Sequence, residues 1–95
     1  MIPPRVRRRI QLGRGVIPAR LRPLNCAQLW ALRNSVFARH GFHFQTARAQ
    51  QLFSAMTWYT IDKTVTKDTA AGHLTYLDYE NIEMIMRLER RRCEN

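Results

Sequence analysis

The chain has 95 residues, 45% of them hydrophobic, and a formal net charge of +9 at neutral pH. A chain of this length folds as one domain and buries only roughly 60–65% of its extended surface, so one modest core must carry it. The composition excludes a wholly disordered chain, and no stretch approaches the roughly 20 apolar residues of a membrane span.

The charge is uneven. Arg5, Arg7, Arg8, Arg9, Arg14, Arg20 and Arg22 precede residue 25 with no acid among them, which leaves nine positives against seven negatives in the rest. Such a segment attracts nucleic acid, anionic lipid or an acidic partner protein, and charge alone does not choose among them. The opening MIPPRVRRRIQLGRG has the positive character of a signal peptide without its apolar run of roughly 7–15 residues. As numbered, the chain is therefore expected to carry no export signal, and either acts inside the cell or is a processed form.

Residues 1–24 hold all four prolines, and Gly13 and Gly15 flank Arg14. VRRRIQL, GRG and VIPARL read as a small β-hairpin or a loosely packed basic arm. In a hairpin Ile10 and Leu12 would share one face of a strand, and Pro18 would restrict its strand to an edge.

CAQLWALRNSVFARH, residues 26–40, has helical spacing. Asn25 is a suitable N-cap, and Gln28 completes a capping box. Leu29, Leu32, Val36 and His40 share one face, with Trp30 and Phe37 beside it. Gly41 stops the helix, and Arg39 and His40 suit the dipole at its C-terminal end. Phe42 and Phe44 then alternate inward on a short extended piece. A second helix covers residues 47–55, with Thr46 as its cap. Residues 60–74 read as a polar loop. The last helix is TYLDYENIEMIMRLERRR: Thr75 caps it with Asp78 at the third position, and its arginines gather at the C-terminal end. The expected fold is mainly α: a compact three-helix domain with short extended segments over residues 25–95, behind the basic arm or hairpin of residues 1–24.

Reactive chemistry finds little support. His40 and His43 have a spacing that zinc can use, with His73 or a cysteine as a third ligand. Gly41 breaks the helix between them, and His43 alternates away from Phe42 and Phe44, so no metal site is expected. Cys26 lies at the opposite end of its helix from His40, roughly 20 Å away at 1.5 Å per residue, too far for a nucleophile–base pair.

The polar set Asn34, Arg39 and Asn81 is more informative, because asparagine is a poor helix former. Asn34 and Asn81 are expected to be buried and to bond the backbone around residues 41–45 and 56–60. Arg39 would lie over Trp58 or Tyr59, or pair with Glu80 or Glu83. Cys26 starts one helix and Cys93 follows another. If the two helices pack antiparallel, a disulfide closes the span between them, worth about 4 kcal/mol in the chain-entropy model, and implies an oxidising compartment. The other possibility is two unlinked thiols.

LWALRNSVFARHGFHF, AQQLFSAMTWY and LTYLDYENIEMI, in that order, resemble a YARHG domain over about residues 25–89. Phe37 stands for the leading Tyr of the family's motif; Ala38, Arg39, His40 and Gly41 match. The typical family positions are Asn34, Arg39, His40, Gly41, Phe44, Trp58, Tyr59 and Asn81. The resemblance implies a small bacterial accessory domain, often in exported or envelope-associated proteins, with no cofactor and no catalytic role for these residues. The expected function is a non-enzymatic binding module for a protein or an anionic envelope component, contacting it through the seven arginines of the arm and Arg39. The alternative is nucleic-acid binding through the same arm.

Overall fold

In the computed structural model, which describes residues 2–93, six helices follow in chain order: α1 (Pro4–Gln11), α2 (Pro18–Leu21), α3 (Cys26–Ala38), α4 (Ala47–Ser54), α5 (Ala70–His73) and α6 (Tyr76–Arg92). There is no strand among the described residues. The hairpin reading of the first segment is thus corrected, and the three expected helices become six.

Local chemistry explains the correction. Pro4 sits at the start of α1, where its missing N–H costs no hydrogen bond, and Pro18 does the same for α2. Arginine is a good helix former. Val6 and Ile10, one turn apart, are both buried; a strand would have put Arg8 and Leu12 on that same face, whereas the helix turns them away. Leu12 is instead 54% exposed. Gly13, at φ 71°, ends α1, with its own N–H on the Ile10 carbonyl and the Arg14 N–H on the Arg9 carbonyl.

Asn25 and Gln28 form the capping box of α3, and Thr75 and Asp78 that of α6. The regular part of α3 ends at Ala38, two residues earlier than expected. Arg39 and His40 make its closing turn, and Gly41 terminates it at φ 87° with the same bonding pattern as Gly13. A side chain at Gly41 would also meet the Asp62 backbone nitrogen and the Thr60 carbonyl within 2.8 Å. The expected loop at 60–74 contains the single turn α5.

Helix α3 lies between two apolar clusters. On one side Leu29, Leu32 and Val36 meet Val6, Ile10, Leu21, Leu24 and Ile85. On the other, Ala38 meets Phe44, Ala49 and Phe53, with Trp30, Phe37, Trp58 and Tyr59 packed around them. Phe44 and Phe53 stack at 4.6 Å between ring centroids. The first segment therefore supplies a large part of one core.

Three links tie α3 to α6: Cys26–Cys93, Arg33–Glu89 and Arg39–Asp78. Their residues run in opposite order along the two helices, so the helices are antiparallel. Cys26 and Cys93 are joined as a disulfide, with a Cα–Cα distance of 5.9 Å.

Candidate functional site

The closing turn of α3 delivers Arg39 and His40 to one carboxylate. Asp78, 1% exposed, accepts from Arg39 Nε on Oδ1 at 3.0 Å and from Arg39 Nη2 on Oδ2 at 2.9 Å. His40 Nε2 lies 2.7 Å from Oδ2, and the Thr75 N–H donates to the same oxygen at 2.9 Å. Burial pushes the Asp78 carboxyl upward. The Arg39 side chain, the Thr75 N–H and His40 together outweigh that and hold it below its ordinary range. On the far side, the Arg39 guanidinium covers Gly13, where an added Cβ would lie 2.7 Å from Nη2. The cap of α6, the end of α3 and the turn after α1 thus meet at one buried ion pair.

Asn81 ties the same region from the next turn of α6. It is 1% exposed; its Oδ1 accepts from the Val16 N–H at 2.9 Å, and its Nδ2 donates to the Arg14 carbonyl at 2.8 Å. Asn81 is buried as expected, but it holds residues 14–16 rather than 41–45 or 56–60. Asn81→Leu leaves both backbone groups without their partner and is expected to cost about 2–3 kcal/mol. Thermal denaturation followed by circular dichroism checks this, and an unchanged midpoint contradicts it. Asn34 is only half-buried and donates to the Trp30 carbonyl of its own helix at 2.9 Å.

The arginines of the first segment behave differently. Arg5, Arg8 and Leu12 recur along α1 at intervals that share one helical face, opposite the buried Val6 and Ile10. With Arg9, Arg14 and Arg20 they line a cleft of about 270 Å³ that has no acidic residue in its wall. Arg9 Nε donates to the Gly15 carbonyl at 2.6 Å, which fixes the turn. Arg5, Arg8, Arg14, Arg20 and Arg22 are exposed, and among the described residues none of the seven early arginines forms an ion pair. Arg7 is half-buried and faces a separate groove beside Trp30 and Arg48, whose guanidinium stacks on the Trp30 ring at 3.8 Å.

The sequence profile of the YARHG domain matches residues 9–90. The chain belongs to the YARHG domain family. No curated protein and no solved structure is detectably similar to it.

In this YARHG domain the match begins at Arg9, well ahead of residue 25, so the family's span includes the end of α1 and the whole of α2. The motif residues divide the work of one corner. Ala38 is buried against the aromatic cluster, Arg39 and His40 hold Asp78, and Gly41 makes the turn against Asp62. Phe44 is buried, and Trp58 and Tyr59 pack beside it, with the Tyr59 hydroxyl donating to the Phe42 carbonyl. Arg39 meets neither Trp58, Tyr59, Glu80 nor Glu83. The charge centre it reaches is Asp78, because the turn after Ala38 points it toward the start of α6. His43 is exposed, and among the described residues no cluster of ligating side chains suits a metal.

Asp78 was legible only as a cap. The signal that it does more is the same Thr-x-x-Asp pattern, read together with adjacent Arg and His residues that need a buried acceptor. The Arg33–Glu89 pair, at 2.6 and 3.2 Å, carries no motif, and only the antiparallel packing of α3 and α6 reveals it.

Proposed function

We propose that this YARHG domain is a non-enzymatic accessory module that binds an anionic partner through the arginine face of α1 and α2. The observation that carries this reading is the set of exposed arginines, Arg5, Arg8, Arg14 and Arg20, gathered around one cleft without a countercharge. Guanidinium groups so placed are hydrated donors free to bond phosphate, sulfate or carboxylate oxygens. The Asp78–His40 arrangement supports a non-enzymatic reading, because its groups are engaged within the fold. Asp78 is saturated by Arg39, His40 and Thr75, and the Thr75 hydroxyl accepts the Asp78 N–H. Among the described residues no serine, threonine or cysteine bonds the other ring nitrogen of His40, and Cys26 is held in a disulfide. That disulfide favours a partner in an oxidising compartment such as the cell envelope.

Retention on a sulfated-polysaccharide resin tests the reading. The Arg5→Gln/Arg8→Gln/Arg14→Gln/Arg20→Gln variant is expected to elute at markedly lower salt than the parent. A control with the same loss of charge on other exposed residues, Lys63→Gln/Lys67→Gln/Arg90→Gln/Arg91→Gln, is expected to elute near the parent. Equal shifts for the two variants would mean that only net charge matters and that the face is no site.

A further inference from the structure

We infer that the partner of this face is an anionic lipid bilayer, an inference that rests on the reading of the arginine face as the binding surface. Two large aliphatic side chains stand exposed among the arginines: Leu12, at 54%, closes α1, and Ile17, at 46%, opens α2. Both belong to the wall of the cleft that Arg5, Arg8, Arg14 and Arg20 share. Water-exposed Leu and Ile cost free energy unless something apolar covers them. A bilayer interface supplies both complements at once: headgroup phosphates for the guanidinium groups and the acyl boundary for the aliphatic tips. Arginine stems also tolerate that boundary while their charged ends stay at headgroup level.

Nucleic acid fits the same arginines less well. Grooves that take single strands stack bases on aromatic rings, and no aromatic residue lines this cleft. Duplex phosphates would satisfy the arginines and leave Leu12 and Ile17 without a role. The two residues are placed where insertion is geometrically cheap. They cap opposite sides of the 13–17 turn, whose backbone is held by Asn81 and Arg9, so the turn presents them without having to order on binding.

Cosedimentation of the full chain with vesicles tests the assignment. Vesicles of equimolar phosphatidylcholine and phosphatidylglycerol are expected to bind the chain, and vesicles of phosphatidylcholine alone are not. Each of Arg5→Gln, Arg8→Gln, Arg14→Gln and Arg20→Gln is expected to weaken binding about fivefold. Leu12→Ser/Ile17→Ser, which leaves the charge intact, is expected to weaken it about tenfold. Both positions are exposed, and unchanged helicity by circular dichroism confirms that the variant folds. Full vesicle binding by the Leu12→Ser/Ile17→Ser variant overturns the proposal, as does failure of the parent to bind the anionic vesicles. Duplex DNA binding that outcompetes the vesicles and ignores the aliphatic change overturns it in favour of nucleic acid. Retention on the sulfated resin without vesicle binding removes the lipid assignment and keeps the anionic face; loss of both removes both.

Discussion

Replacing Asp78 with alanine is expected to lower the stability of the domain by about 3–5 kcal/mol. The carboxylate is 1% exposed and is the common acceptor for Arg39, His40 and the Thr75 N–H. Without it, the Arg39 side chain, itself only 18% exposed, stays beneath Gly13 with no acceptor. The cap of α6 is lost at the same time. Asp78→Asn keeps the shape and part of the cap, so it is expected to cost less. The pH dependence follows from the depressed carboxyl. A group whose folded-state pKa lies below its unfolded value contributes stability that is fully present above the unfolded value and is lost as the pH falls through the folded one. For Asp78 that loss lies below the ordinary value of 3.8. Urea unfolding at neutral pH and well below 3.8 checks this. The parent is expected to lose more stability on acidification than Asp78→Asn, and equal losses would contradict the account.

Opening the Cys26–Cys93 bond is expected to cost about 4 kcal/mol, because the two residues are 67 positions apart and the bond constrains a long loop in the unfolded chain. Small domains have only about 5–15 kcal/mol in total, so the reduced protein should sit near the edge of folding. Cys26 is exposed, which gives a reductant access. The bond is not alone at that end of the helix pair: Arg92 Nη1 donates to the Leu24 carbonyl at 2.7 Å, and Arg33 holds Glu89. The reduced domain should therefore fray from the end of α6 before α3 and the Asp78 corner separate. Urea denaturation with and without reductant reads the total, and an unchanged midpoint would show that the bond contributes nothing.

The legible parts of this fold were those encoded by neighbours in sequence. Asn25 with Gln28, Thr75 with Asp78, and Gly41 each act within one turn, so the spacing alone reveals them. The first segment was not legible, because its prolines and glycines fit a hairpin as well as helix starts and stops. What decides is tertiary: Val6 and Ile10 must both reach Leu29, Leu32 and Ile85, and a helix does this while turning Arg8 and Leu12, which a strand would place on the same face, outward. Asn81 was legible as a buried polar group, since it interrupts an apolar stripe. Its partners were not, because Arg14 and Val16 come from a segment whose path the sequence left open. Arg39 was legible as a residue in need of a partner. The choice of Asp78 over Glu80 or Glu83 depends on the direction of the turn after Ala38, which no spacing records. The arginine face was legible as charge, but the placing of Leu12 and Ile17 among the arginines needed the turn between α1 and α2.

On the proposed function, the family motif builds the fold while binding belongs to the α1–α2 face. Asp78→Asn and the four-arginine glutamine variant, compared side by side for melting temperature and for salt of elution from a sulfated resin, test it most directly. A crossed result is expected: Asp78→Asn melts lower yet, while folded, elutes with the parent, and the face variant melts with the parent yet elutes early. A folded Asp78→Asn protein that loses retention, beside a face variant that keeps it, would place the binding site at the motif and contradict the account.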